Sequence, residues 1–332
     1  MKTIIIAEAG INHNGNLKLA KKLILVASKA GADYIKFQTY EPENMIKPNT
    51  KLADYQKMNN EKERSQYEML KKYQLKKNYY EKLIKYSKLK KIKFLSSPFD
   101  IESIKFLKKF NLEFIKIPSG EINNYPYLKF LGKLNKKIIL STGMSNLKEV
   151  SDAIKILIRF GTKKNKISLL HCHSDYPSEP QNLNLRAIMT LKKKFNLRVG
   201  YSDHSIGVEA SIASIALGAT IIEKHLTLNR KMIGPDHKAS MEPKNFEKMV
   251  LAIRNAEKML GNGKKIPTQK ELKNQKLVRK SIVAKFNISK GDKFSEKNIT
   301  TKRPGIGISP MKYEIFLKKF AKKKYLKNDY IN

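Results

Sequence analysis

Eight short apolar, β-branched runs recur along this chain, and nearly every one ends in residues able to do chemistry. Residues 4–7 run into Glu8, and residues 32–35 into Lys36 and Gln38. Phe94-Leu95 precedes Ser96 and Ser97, and Phe114-Ile115 precedes Lys116, Ser119 and Glu121. Residues 138–140 lead to Ser141 and Thr142, and residues 168–170 to His171 and His173. Residues 199–201 lead to Ser202, Asp203 and His204, and Ile221-Ile222 to Glu223, Lys224 and His225. Segments of helical periodicity lie between the runs. That order predicts a (β/α)8 TIM barrel with its active site at the carboxyl ends of the strands.

The first unit reads as strand 3–7, a Gly-Asn loop, and a helix over 17–30 that Gly31 stops. After strand 33–38 comes a connection over roughly 39–75, with Tyr40, Pro42, Pro48 and Tyr55. It is too long for a plain βα loop and reads as a functional lid. Helices then alternate with strands up to a last barrel helix over 243–260, which Gly261 and Gly263 end. The expected division is a barrel over 1–262, a polar linker over 263–280 and a small domain over 281–332. The small domain is too short to bury much alone, so docking on the barrel or on another subunit would stabilise it.

The formal net charge of +39 raises the question of a nucleic-acid or anionic-surface partner. The choice of base argues against one. Of 68 basic residues 8 are arginine and 60 lysine, and the lysines are spread over the helix-like segments. Bidentate readers of nucleic acid favour arginine. No nucleic-acid partner is expected, and the charge reads as compositional drift that also attracts anionic substrates. The most apolar stretch, 205–222, contains Glu209, so no membrane span is expected. No secretory signal is read at the N-terminus, and the one cysteine, Cys172, fits a cytoplasmic protein.

Several constellations at the strand ends can carry chemistry. His204 and His225 end adjacent strands, and two imidazoles at one barrel mouth make either an open divalent-metal site or a structural pair. Asp203 and Asp236 are candidate partners for them or candidate substrate ligands. Lysines in apolar strands are costly unless they meet an anion. Lys36 and Lys116, with Ser97, Ser119, Ser141 and Ser202, can cradle phosphate plus carboxylate. A Schiff-base role for Lys116 or Lys224 stays open. Glu8 and Glu121 are the candidate acid/base carboxylates facing the mouth. Asn12, His13 and Asn14 either bind a polyhydroxylated substrate or build the turn. Arg303, in Lys302-Arg303-Pro304-Gly305, is either an exposed base on a rigid turn or an arginine presented to a ligand.

Taken in order, these segments resemble the bacterial sialic acid synthase family, with its legionaminate and pseudaminate relatives. The resemblance is carried by Glu8-Ala9-Gly10-Ile11-Asn12-His13-Asn14-Gly15, Lys36-Phe37-Gln38-Thr39, Lys116-Ile117-Pro118-Ser119-Gly120-Glu121 and Gly200-Tyr201-Ser202-Asp203-His204. Glu223-Lys224-His225, Gly234-Pro235-Asp236-His237 and Lys302-Arg303-Pro304-Gly305 extend it, from residue 3 to about 330. It implies condensation of phosphoenolpyruvate with an N-acetylated hexosamine to give a nine-carbon keto acid and phosphate. It implies manganese or magnesium on His204 and His225. It implies phosphoenolpyruvate held by Lys36, Ser97, Lys116, Ser119, Ser141 and Ser202 with Tyr176 nearby, carboxylates Glu8 and Glu121 at the reacting carbons, and sugar contacts from Gln38 and Asp236. The tail resembles an antifreeze-like (SAF) domain, which implies a domain-swapped homodimer with Arg303 lent to the partner's barrel. The chain departs from the pattern at Ser97 for a common Thr, at His173-Ser174-Asp175 and at Ile306. Within the family, N-acetylmannosamine is the expected acceptor and N-acetylneuraminate the product. The alternative is the 2,4-diacetamido-2,4,6-trideoxymannose of legionaminate synthesis.

Overall fold

The computed structural model describes residues 2–52 and 64–332. Tyr55, read as part of the long connection, lies outside the described residues. Two compact units result, Met1–Gly261 and Asn262–Asn332.

The first unit is built on eight parallel strands: β1 (Ile4–Gly10), β2 (Tyr34–Thr39), β3 (Lys93–Pro98), β4 (Phe114–Ile117), β5 (Lys137–Ser141), β6 (Ile167–Cys172), β7 (Arg198–Asp203) and β8 (Ile221–His225). They pair in the order β3-β2-β1-β8-β7-β6-β5-β4, and β3 packs beside β4, so the sheet curls into a nearly closed barrel. This is the expected TIM barrel, with strand ends within a few residues of those read from the sequence.

Side-chain parity then decides what faces where, because successive strand residues point to opposite faces. Ile5, Ala7, Ile35, Phe37, Ile138, Leu140, Leu169 and Val199 point outward into one core with the surrounding helices. Ile6, Tyr34, Leu95, Phe114, Ile139, Leu170 and Ile221 point inward and fill the lower barrel as a separate apolar cluster. Two residues further along the same inward column stand Glu8, Lys36, Ser97, Lys116, Ser141, Cys172 and Glu223. An apolar plug therefore supports a polar layer at the carboxyl rim, as layered filling of such barrels requires.

Gly200 belongs to the inward column of β7. A Cβ there would stand 2.6 Å from Ile221 Cβ and 2.7 Å from Leu170 Cδ2, and would also meet the Ile221 carbonyl. Gly200→Ala is expected to destabilise the barrel by about 1–3 kcal/mol. Chemical denaturation checks it, and an unchanged midpoint would show that the plug relaxes freely.

The helix Leu17–Lys29 is capped by Asn16, whose side chain accepts from Lys18 N and Leu19 N. In the long connection, helix Gln66–Tyr73 is capped by Ser65, and Tyr40, Leu52, Met69, Leu70 and Tyr73 bury with Ile11 in a cluster of their own. Among the described residues no helix is long and apolar enough to cross a membrane.

The second unit pairs β9 (Ser281–Ala284) antiparallel with β10 (Ile299–Lys302). Ile282, Ile288, Phe294, Ile299, Phe316, Tyr325 and Ile331 form its core. The segment expected as a polar linker contains a helix, Gln269–Val278, with no buried residue. Its start has a local cause: Thr268 Oγ1 accepts from Glu271 N while the Glu271 carboxylate accepts from Thr268 N, a reciprocal cap that satisfies two end donors. Lys276 O then accepts from Gly305 N at 2.8 Å, tying this helix to the Arg303 loop.

Candidate active site

The carboxyl rim of the barrel opens into a cavity of about 440 Å³, within the usual range for small-molecule sites. Its floor is a buried charge quartet. Lys36 Nζ lies 3.4 Å from Glu8 Oε2 and 3.0 Å from Glu223 Oε2, and Lys116 Nζ lies 3.4 Å from Glu223 Oε1. All four side chains are nearly inaccessible. Strand register sets this up: Glu8 pairs with Lys36 on one side and with His225 on the other, and Ser202 pairs with Glu223.

The quartet polarises its own titrations. Burial alone would raise the Glu223 carboxyl, but the Lys116 and Lys36 ammoniums outweigh it and hold Glu223 well below the usual carboxylate range. Burial pushes Glu8 up to about 7; Lys36 opposes the rise and the Glu223 charge adds to it. Burial lowers Lys116, with Glu223 only partly compensating. One carboxylate is thus fixed as an anion, and the other exchanges its proton near neutrality. That is the usual way one site supplies both a fixed charge and an acid/base group.

Ser97, Ser119, Ser141 and Ser202 line the same cavity. The Ser97 hydroxyl is buried with no hydrogen-bond partner. Ser202 Oγ donates to Glu223 at 3.0 Å, and Ser119 Oγ accepts from Gly143 N at 3.0 Å. Tyr176 lies tilted over His204, ring centroids 4.2 Å apart, and stands edge-on to His225 at 5.7 Å. The two histidine rings lie 5.6 Å apart. His204 Nδ1 is 2.5 Å from the His173 carbonyl, so that nitrogen carries the proton and Nε2 keeps its lone pair. His225 Nδ1 is buried without a hydrogen-bond partner. Burial lowers His204 to about 4 and holds His225 well below the ordinary imidazole value, so both rings are neutral bases. Two neutral nitrogens, one lone pair freed and one without a partner, fit a divalent cation. Among the described residues no group of three or more His, Cys, Asp or Glu is placed to hold a metal ion.

Gln38 and Asp236 also line the cavity, and burial raises Asp236 to about 6. Gly10 separates them from His225: with φ at +51°, its absent side chain leaves Gln38, Asp236 and His225 each within 3.5 Å of where a Cβ would be.

The structure sets Glu121 apart from the cavity and narrows the readings the sequence left open for Lys224, Asp203, Asn12 and Asn14. Glu121 does not line the cavity; it ends the turn Ser119–Glu121, and its carboxylate accepts from Asn124 Nδ2 at 2.6 Å. Lys224 is no Schiff-base candidate, because parity turns it out of the barrel, where it pairs with Asp203 at 2.8 Å and donates to Ser205 O. Asp203 consequently serves that outer pair, accepting also from Ser205 and Ser211, and not the histidines. Asn12 donates to Leu226 O and Ser240 Oγ, and Asn14 to Ile233 O, so both build the loop wall. Glu223 is the residue that sequence reasoning missed. Its signal was parity: it stands two positions before His225 and must share its face. Arg303 lies in the second unit, exposed in the loop after β10.

Paired ammoniums under an open cavity suit a small polyanion, and neutral imidazoles beside them suit a cation that polarises a second reactant. A barrel with this rim is an enzyme of small anionic substrates. The NeuB family model matches residues 23–265. The chain is 50% identical over 330 residues to the N,N'-diacetyllegionaminic acid synthase of Campylobacter jejuni, covering 99% of both chains. It is 42% identical over 312 residues to the enzyme of that name from Legionella pneumophila, covering 93% of this chain and 88% of that one. The N-acetylneuraminic acid synthetase of Leptospira borgpetersenii, solved with citrate, superposes with a TM-score of 0.74 at 36% identity, covering 82% of this chain and 90% of that one. The chain belongs to the NeuB family, that of the sialic acid synthases, and is a phosphoenolpyruvate-dependent nonulosonate synthase.

Proposed function

We propose that the protein is an N,N'-diacetyllegionaminate synthase, condensing phosphoenolpyruvate with 2,4-diacetamido-2,4,6-trideoxymannose and water and releasing phosphate. The observation that carries the acceptor is the 50% identity, end to end, to a protein of that name. It replaces N-acetylmannosamine, the acceptor first expected from the sequence.

Lys36 and Lys116 hold the phosphoenolpyruvate trianion, with hydroxyls from Ser97, Ser119, Ser141 and Ser202 on its oxygens and Tyr176 beside it. Glu223 keeps both ammoniums charged and aimed inward. His204 and His225 would hold a divalent cation, manganese or magnesium. Such an ion would supply Lewis-acid polarisation of the sugar's aldehyde oxygen. Gln38 and Asp236 contact the sugar. Glu8 takes up or gives a proton at the reacting carbons, and Glu121 braces the Ser119 turn through Asn124. The enol carbon forms a bond to the aldehyde carbon, water adds to the resulting cationic centre, and phosphate leaves with the C–O bond electrons.

Residues 281–332 are proposed as an antifreeze-like (SAF) domain, exchanged between protomers of a homodimer so that Arg303 reaches the partner's substrate. The resemblance of Lys302-Arg303-Pro304-Gly305 supports this. A cytoplasmic location suits a chain with one cysteine.

The test is phosphate release from phosphoenolpyruvate with each sugar, with and without manganese. Turnover is expected with the diacetamido sugar and metal. Preference for N-acetylmannosamine would overturn the acceptor assignment.

A further inference from the structure

The ladder between β7 and β8 stops one residue short of the two histidines. Asp203 and Lys224 are its last paired residues, and the next residue along the chain is His204 on one side and His225 on the other. Lys224 Nζ reaches Asp203 Oδ2 at 2.8 Å, with both side chains buried. The turn around His204 fills the rest of that carboxylate. Oδ1 accepts from Ser205 N at 2.9 Å and from Ser205 Oγ at 2.6 Å, and Oδ2 accepts from Ser211 Oγ at 2.6 Å. Lys224 Nζ also donates to Ser205 O at 2.6 Å. One ammonium on β8 therefore grips the residues immediately before and after His204.

Resting on the divalent-cation reading above, we infer that Asp203 and Lys224 are positioning residues for that cation, a clamp behind the rim that fixes the spacing of the two imidazoles. They act through the backbone. Two ligands on separate strands share one ion only while the strand ends keep their separation. His204 has a further restraint in its Nδ1 bond to the His173 carbonyl. His225 Nδ1 has no hydrogen-bond partner, so the place of that ring depends on the end of β8. On one side that end is tied by Met241 N, which donates to His225 O at 2.8 Å. The Lys224 clamp is the matching tie to β7. General stability is a poor reason for such a pair, because well-packed apolar side chains often serve a buried site as well or better, whereas an ion pair fixes register. Groups standing behind metal ligands and holding them in place govern affinity in the same way.

The experiment titrates manganese and phosphoenolpyruvate separately by calorimetry, below the melting temperature of each protein. Lys224→Met keeps the stem and removes the ammonium, leaving Asp203 a buried anion short of its partner. Lys224→Met combined with Asp203→Asn removes both charges, so no unpaired ion burdens the fold. Ser205→Ala takes away one hydroxyl and no charge, and keeps the test readable where a charge variant does not fold. The two charge variants are expected to bind manganese about 10–100-fold more weakly than wild type, and Ser205→Ala to change in the same direction by less. Phosphoenolpyruvate affinity is expected to stay unchanged in all three, because Glu223 and the lysines of the floor are held by their own contacts. Manganese affinity equal to wild type in every folded variant would overturn the inference and leave the cation reading standing. An equal loss of both ligands would also overturn it, since the pair would then hold the barrel in general. Wild type that binds no manganese would overturn the cation reading and the inference together.

Discussion

His225→Ala is expected to lower metal-dependent turnover by about 10²–10⁴-fold while leaving the fold intact, since a Lewis acid is worth several kcal/mol. The separation of the two effects follows from the geometry. His225 Nδ1 has no hydrogen-bond partner, so removing the ring leaves no buried donor or acceptor orphaned. His204 differs: its Nδ1 bonds the His173 carbonyl, so His204→Ala loses turnover to a similar extent but also about 0.5–1.5 kcal/mol of stability. Both rings are neutral, so neither variant removes a charge from the floor. Manganese titration by calorimetry with the purified variants provides a readout independent of activity, and weakened binding is expected in both. Near-normal phosphate release by His225→Ala, or by wild type after chelation, would remove the metal from this site.

Most of the barrel was legible because its pattern is local. Each strand is a short apolar run with a turn signal behind it, and eight such runs in order leave few alternatives. Much of what the sequence left open turned on single-residue parity. Lys224 stands between Glu223 and His225 in an apolar run, and only the alternation of faces shows that it points outward to Asp203. Cys172 turns on the same alternation. His171 and His173 draw the eye, but it is the residue between them that lines the cavity. Glu121 stood close enough to Ser119 to be read with it, yet the chain has turned by then and Asn124 captures its carboxylate. That Met45 and Met69 line the cavity was not legible at all, since they stand far apart in a connection without strand or barrel-helix register. The helix Gln269–Val278 escaped for the opposite reason. It has no apolar face, and its one signal is the Thr268–Glu271 cap.

Glu8→Gln tests whether the carboxyl that titrates near neutrality is the one the reaction uses. Turnover is expected to fall by about 10²–10⁴-fold, the usual worth of a positioned acid/base group. Its pH dependence is more telling. The folded protein holds the Glu8 proton up to about pH 7, against 4.5 for the unperturbed group. A carboxyl raised in this direction contributes stability that is complete below pH 4.5 and is lost as pH rises through about 7. The glutamine variant has no proton to lose. Its melting temperature relative to wild type should therefore climb between pH 5 and pH 8, as wild type surrenders that contribution and the variant does not. Anion binding follows the same sign. Ionised Glu8 adds negative charge beside Lys36, 3.4 Å away, at the proposed trianion site. Wild type should therefore lose affinity for phosphoenolpyruvate above pH 7, and Glu8→Gln should retain it. Thermal melts and phosphoenolpyruvate titrations at the two pH values measure both effects. A variant that tracks wild type in melting temperature and affinity at both would place the titrating group elsewhere. A variant that is stabilised at high pH yet nearly inactive would show that stability is given up at Glu8 to keep a proton exchangeable there.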